Sequence, residues 1–172
     1  MRSILEATVE ARDTEIAISF WKEQAEQFGD PPPTGEFGPV DLEADPFRFL
    51  IIVDPDARGR RDHSVFLAYG SGLAKLFGLP ERPPMWRPMI ECIPSRYRSI
   101  FLGGCKDAIS DVAPVRFSGE MAVLGGFEFF RACFVPLKMK AEATQVLYGS
   151  FSFRLYTTAE VAERSQLAGA GK

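Results

Sequence analysis

The sequence has little of what metal sites and nucleophilic enzymes require. It holds one histidine, His63, and three widely spaced cysteines, Cys92, Cys105 and Cys133. An odd number of cysteines at this spacing fits neither a disulfide framework nor a zinc site. A reactive thiol would also need a nearby base, and the only imidazole lies in a charged turn. We therefore expect reduced, buried thiols, no metal and no catalytic activity.

The chain also lacks a basic surface and a long apolar run. Its formal charge is −3, and the only basic cluster, Arg58 to Arg61, is flanked by acids as in a solvated turn. Nucleic acid is therefore disfavoured as a direct partner. No apolar stretch approaches the roughly 18 residues of a membrane span, and acids occupy the place of a signal peptide's apolar region. We expect a cytoplasmic protein with no membrane partner.

The sequence does have enough apolar material for one core. Apolar residues make up 46% of its 172 residues, and 15 of them are phenylalanine. A chain of this length can bury about 70% of its unfolded surface in a single domain. We divide it into an N-terminal segment at 1–12, a helix with a proline-rich arm at 13–45, a domain at 46–158 and a C-terminal tail at 159–172, frayed from Gln166 onwards.

Apolar spacing and breaker residues place the elements along the chain. An amphipathic helix is predicted from Asp13 to Phe28, where Gly29 and three prolines end it. A short helix follows around Leu73 to Gly78, prolines exclude regular structure from 80 to 88, and a longer helix runs from Pro94 to Asp111. The predicted strands are Phe47 to Val53, Ser64 to Tyr69, Val115 to Leu124, Phe127 to Leu137 and Thr144 to Tyr156.

This order of elements predicts an α+β fold. Five antiparallel strands with helices between the second and third, and with the last strand beside the first, give the spatial order 2-1-5-4-3. The strand from Phe127 is apolar on both faces, so one face should pack on the internal helices and the other needs a cover. The N-terminal helix or a second subunit is the candidate cover, which predicts a homodimer through that helix and the sheet face.

Three stretches together resemble the PAS superfamily, and in particular short bacterial PAS-like proteins with an N-terminal helix. They are Phe20-Trp21 ahead of the proline break, Tyr69-Gly70-Ser71-Gly72-Leu73 through Leu76-Phe77-Gly78, and the hairpin with Val135-Pro136-Leu137 and Val146-Leu147-Tyr148-Gly149. The resemblance spans roughly Ile16 to Tyr156. It implies a cupped sheet with a cavity between its concave face and the short helices, used for ligand sensing or for dimerisation.

The cofactors that such a resemblance implies find no support in the residues. Haem would need an axial histidine on the longer helix, and His63 is not there. The photoreactive flavin type carries an Asn-Cys-Arg-Phe motif, and nothing like it surrounds Cys92 or Cys105. We expect no cofactor. Instead, a small apolar or amphipathic ligand is expected, with output through an unidentified signalling protein because the chain has no effector segment.

The candidate ligand site lies between the longer helix and the concave side of the sheet, under a lid of Met85 and Trp86, and Gly104 leaves room beside the helix. Arginines on the last strands are expected to pair at the surface with Glu120 or Glu128. The alternative is a structural interaction module with a filled core and no ligand. The predicted ligand-binding residues are Trp86, Tyr97, Phe101, Cys105, Phe117, Cys133 and Tyr148.

Overall fold

An antiparallel sheet forms the centre of the protein. The computed structural model describes residues 3–34, 46–53, 63–84, 86–139 and 145–169. Within these ranges the sheet has five strands in the order β2-β1-β5-β4-β3, which confirms the predicted fold class and strand order. The strands are β1 (Arg48–Val53), β2 (Val65–Tyr69), β3 (Val115–Val123), β4 (Gly126–Lys138) and β5 (Gln145–Thr157).

Along the chain, one helix precedes the first strand, one follows the last strand, and the remaining helical elements lie between β2 and β3. Proline precedes two of the inserted segments, at Pro88 and Pro94, where its missing N–H is not needed. This explains how a helix, α3, forms directly after a stretch that proline was expected to keep irregular. None of the helices in the described ranges is long and apolar enough to cross a membrane. The helical elements are α1 (Ser3–Phe28), α2 (Ser71–Phe77), α3 (Met89–Cys92), a 3-10 turn (Ser95–Tyr97), α4 (Arg98–Asp111) and α5 (Thr158–Gly169).

The first helix begins ten residues earlier than its predicted start at Asp13. Its backbone is helical from Ser3, so the segment assigned to 1–12 belongs to α1 from that residue onwards. Residues 3–12 contain neither glycine nor proline, and strong helix formers among them let the ladder extend past the expected cap at Asp13 or Thr14. The predicted end is confirmed: Gly29 follows α1 with a φ of 98° and donates its N–H to the Ala25 carbonyl at 3.0 Å.

The C-terminal tail contains a helix that was not predicted, and the fraying expected from Gln166 onwards is wrong as far as Gly169. Residues from Thr158 to Gly169 form α5, which packs against β5 and β4. A capping box starts this helix: the Thr157 N–H donates to Glu160 Oε2 at 2.7 Å, and the Glu160 N–H donates to Thr157 Oγ1 at 3.3 Å. The Thr-x-x-Glu spacing that makes this box was visible in the sequence and could have predicted the helix.

The two faces of the sheet bury two separate cores. The inner face packs against α2, α3, the 3-10 turn and α4, and the outer face packs against α1. The outer cover is therefore the chain's own N-terminal helix, one of the two covers expected. Its buried contacts with the outer face come from Ala17, Ile18 and Trp21 on α1, and from Cys133, Val135, Leu137, Val146 and Tyr148 on the strands.

The proline-rich arm is described only at its start. Pro33 forms a parallel bridge with Lys138, supported by hydrogen bonds of 2.9 Å from Thr34 N–H to the Lys138 carbonyl and from Lys138 N–H to the Pro32 carbonyl. The arm thus begins by extending the sheet at the end of β4. The rest of the arm, the turn between β1 and β2 with its basic cluster, Met85, and the turn from 140 to 144 lie outside the described residues.

Candidate functional site

Aromatic rings fill the centre of the inner face. Phe101 on α4 has its ring centroid 5.1 Å from that of Phe49, 5.5 Å from that of Phe134 and 5.6 Å from that of Phe151. All four side chains are fully buried. Phe77 and Tyr97 stack at 5.6 Å and continue the cluster towards the 3-10 turn. The cluster therefore joins α2, the 3-10 turn and α4 to three strands of the sheet.

The room that Gly104 leaves beside α4 is taken up by a side chain of the protein. A Cβ built on Gly104 would lie well inside van der Waals contact with the Phe134 ring. The group that approaches this glycine is therefore the Phe134 ring, rather than a ligand or another backbone. The neighbouring Gly103 is different, because its Cβ would meet the nearest ring, that of Phe117, at an ordinary 3.7 Å.

Four of the predicted ligand-binding residues lie on the inner side. Tyr97, Phe101 and Cys105 are buried in the inner core, and Phe117 packs against it partly buried. Their common location does not test whether a ligand binds there, so that role stays a prediction.

Cys133 and Tyr148 were placed on the wrong face. Both belong to the outer core beneath α1. Phe117 pairs with Ala132 on β4, so the inner parity of that strand includes Ala132 and Phe134 rather than Cys133. Tyr148 pairs with Val135, which has the outer parity. Because side chains alternate along a strand, an error of one residue moves a side chain to the opposite face.

Trp86 does not form a lid over the core. Its side chain is 82% exposed. Its backbone is left-handed, with a φ of 64°, in a turn where Arg87 N–H donates to the Pro84 carbonyl at 3.3 Å. Met89, three residues further along, is fully buried in the inner core instead.

A buried acid lies at one end of the inner face. Glu128 on β4 is fully buried, and neither carboxylate oxygen has a hydrogen-bond partner among the described residues. The buried Tyr97 hydroxyl also lacks one. Arg96 is the ion-pair partner of the acid, with Nη2 3.6 Å from Glu128 Oε2, and its own side chain is half exposed. The same guanidinium lies over the Tyr97 ring, 4.6 Å from its centroid.

The surroundings of Tyr97 keep its hydroxyl protonated. Burial and then the Glu128 carboxylate raise the pKa of Tyr97 to about 12, and Arg96 opposes the effect of the acid. The larger part of the Glu128 effect is a hydrogen-bonding interaction with the Tyr97 hydroxyl, although the two groups fall outside strict hydrogen-bond geometry. Around neutral pH Tyr97 is therefore a neutral phenol that can donate a hydrogen bond.

Apolar side chains surround the buried acid on the sheet. Glu128 pairs across the strands with Met121 on β3 and Leu155 on β5. The next row of the same face holds Phe130 and Phe153. Leu155 is 58% exposed, and the other three are partly buried. The inner face at this end thus offers apolar surface beside a polar corner.

Directed polar contacts hold α1 on the outer face. The Trp21 indole N–H donates to the Pro136 carbonyl at 2.6 Å, and Glu15 forms an ion pair with Arg116 on β3. Arg48 donates to the Tyr148 hydroxyl beneath the helix. The exposed Arg116 therefore pairs with a helix residue rather than with a cross-strand acid.

The described residues hold no group of three or more metal-ligating side chains. All three cysteines are buried, as expected, and none forms a disulfide within the described residues. Burial, only partly offset by Arg87, raises the pKa of Cys92, which makes its thiol less reactive.

Sequence reasoning missed the buried acid. Glu128 was expected to pair at the surface, and it lies instead on the inner face, with the parity of Phe130 and Phe134. This shared parity was the available signal, because an acid in register with core phenylalanines points into the core.

Five antiparallel strands in this order, with the helices between β2 and β3 on one face, form the arrangement that the resemblance implied. The chain has a PAS-like fold. No protein-family model and no curated protein sequence matches it. One solved structure that it resembles is that of "an RNA-binding Light-Oxygen-Voltage Receptor", with 14% identity and a TM-score of 0.38. The match spans 73% of this chain and 36% of that one.

Proposed function

We propose that this chain is a PAS-type sensory module that binds a small amphipathic molecule at the inner face and acts, without catalysis, through a protein partner in the cytoplasm. The observation that carries the proposal is the buried carboxylate of Glu128, which lies beside apolar surface without a hydrogen bond. An unmade hydrogen bond on a buried charged group is costly, and a ligand that supplies the donor would remove that cost.

The same strand links this corner to the helix that would carry the output. Along β4, Glu128 and Phe134 face inward, and Cys133 and Val135 face α1. A shift of β4 on ligand binding would therefore change the packing of Trp21 on this strand, because its indole N–H donates to the β4 carbonyl of Pro136. α1 would then have two positions in equilibrium. A ligand can shift this equilibrium only to the extent that its affinity differs between the two corresponding conformations of the protein.

A homodimer through α1 remains part of the proposal. The buried side of the helix is used within the chain, so the contact would involve its other side, where Ile16 is 60% and Phe20 is 36% exposed. Sedimentation should show a dimer at micromolar concentration, and Ile16→Glu should dissociate it. A monomeric parent protein would exclude this part.

The alternative function is an interaction module with no ligand. It is favoured by the Phe134 ring, which fills the space beside Gly104, and by the continuous aromatic cluster. Under this alternative the polar corner would be closed by Arg96 alone.

Native mass spectrometry and a tryptophan reporter separate the two functions. The chain has two tryptophans, so Trp86→Phe leaves Trp21 as the only reporter of α1. For freshly purified protein we expect a mass above that of the chain alone. After unfolding and refolding to remove the bound molecule, the Trp21 emission should shift to the red. A bare mass together with unchanged emission would support the module with a filled core.

A further inference from the structure

The polar corner on the inner face specifies the chemistry of its ligand. Glu128 is fully buried, with two carboxylate oxygens that accept no hydrogen bond within the described residues, and the buried hydroxyl of Tyr97 is equally unsatisfied. Native interiors rarely leave one such atom unpaired, and here three occur together. Their proximity indicates a site that is completed by another molecule.

The charges of the corner favour a neutral ligand. Arg96 and Glu128 form an ion pair with a separation of 3.6 Å, so their charges already balance. A cationic or anionic ligand group would add a net charge to a buried environment, which is strongly unfavourable. Arg96, the ion-pair partner of the buried acid, is itself half exposed.

The unused hydrogen-bonding capacity points to a hydroxyl group. An ionised carboxylate only accepts hydrogen bonds, whereas the protonated Tyr97 can donate one. A ligand atom that bridges Glu128 and Tyr97 must therefore donate to the acid and accept from the phenol. A hydroxyl oxygen does both, while an ether or a carbonyl only accepts and an ammonium only donates.

The body of the ligand follows from the neighbouring surface. Met121, Phe130, Phe153 and Leu155 lie on the same face as the acid in the two adjacent rows of the sheet. We propose that this corner binds a small neutral molecule with a hydroxyl group on an aromatic body, that is, a phenol. This inference rests on the proposed function for the ligand site but not for the signal through α1.

Three probes of similar shape test the inference on the intact chain: p-cresol, 4-methylanisole and toluene. Chemical shifts of the backbone amides during titration report affinity and location. We expect p-cresol to bind roughly tenfold or more tightly than 4-methylanisole, since only p-cresol can donate to the carboxylate. The largest shifts should fall on residues 95–98, 119–130 and 153–155.

Two variants decide whether the acid causes this preference. Glu128→Met removes the carboxylate at similar volume, and Tyr97→Phe removes the hydroxyl. We expect the first to abolish the preference for p-cresol and the second to reduce it. The exposed Glu120 on β3 provides the control, because Glu120→Met should leave the preference unchanged.

Thermal melts of the ligand-free proteins give a readout beyond binding. If the carboxylate is kept for a ligand, Glu128→Met should melt at the same or a higher temperature, because an apolar group replaces a buried, unsatisfied charge. A strongly lowered melting temperature would mark the acid as structural and overturn the inference. If Glu128→Met fails to fold, Glu128→Gln in the same titration serves instead: its amide oxygen can still accept a hydrogen bond but carries no charge, and its NH2 group can donate to the ether of 4-methylanisole, so the preference for p-cresol should weaken.

Equal affinity for p-cresol and 4-methylanisole would also overturn the inference, and would mean that water or Arg96 alone completes the corner. The failure of the proposed function looks different. In that case p-cresol binds through Glu128, but the Trp21 emission of the Trp86→Phe protein does not respond. Conversely, a Trp21 response to a copurified molecule that survives in Glu128→Met would refute the phenol site and keep the sensory function.

Discussion

The apolar side chains on the two faces of the sheet are buried in different ways. The inner face interlocks aromatic rings from α2, the 3-10 turn, α4 and the strands, so removal of one ring exposes several others. The outer face carries a smaller core under a single helix, fixed by an indole hydrogen bond and a surface ion pair. From this difference we expect the inner face to hold the fold together and α1 to detach from the outer face without unfolding the sheet.

The largest effect is expected at the centre of the aromatic cluster. Phe101→Ala should lower the free energy of unfolding by about 3–5 kcal/mol, because the cavity would border Phe49, Phe134 and Phe151. Urea unfolding followed by circular dichroism measures this loss. Phe101→Leu, which keeps most of the volume, should lose far less. A loss below that of the Trp21 variant described next would break the comparison between the faces.

Truncation of the outer anchor should act locally. Trp21→Ala should cost about 2–3 kcal/mol, less than a buried tryptophan usually does, because the loss cannot exceed the free energy that docks α1. Hydrogen exchange should rise in α1 while the amides of β4 and β5 stay protected. Trp21→Phe keeps the ring but loses the bond to Pro136, and should cost about 1 kcal/mol. Simultaneous exposure of α1 and the strands would contradict a detachable helix.

Two adjacent glycines sharpen the account of the inner face. Gly104→Ala should destabilise by about 1–3 kcal/mol, because its methyl group would collide with the Phe134 ring. Gly103→Ala meets only an ordinary contact and should stabilise α4 by up to about 1 kcal/mol. Thermal melts of the two variants should therefore shift in opposite directions. Similar shifts would mean that Phe134 moves away without cost.

The smallest effect is expected at the ion pair between Glu15 and Arg116. Both side chains are about half exposed, so Glu15→Gln should cost no more than about 0.5 kcal/mol and lose its effect in high salt. Melts at low and high ionic strength measure this. A loss above that of Trp21→Phe would show that charge, rather than the indole, fixes the helix.

Much of the fold followed from local sequence. Apolar alternation and breaker residues located all five strands within one or two residues, and their order along the chain allowed the spatial order to be deduced. Proline and glycine located the end of α1. The start of α1 was missed because a possible cap at Asp13 was preferred to a preceding stretch that contains no glycine or proline. The missed α5 had its signal in the Thr-x-x-Glu capping box.

Which residues form the candidate site could not be predicted from the alternation of apolar side chains alone. The sequence by itself determined that β4 has two apolar faces and that Cys133 and Phe134 lie on opposite ones. Only the tertiary structure decided which face meets α4, and with it the outer position of Cys133 and Tyr148 and the burial of Glu128. The physical reason is that the register with the neighbouring strands and the packing of α4 and α1 select the face, and these contacts join residues far apart in the chain.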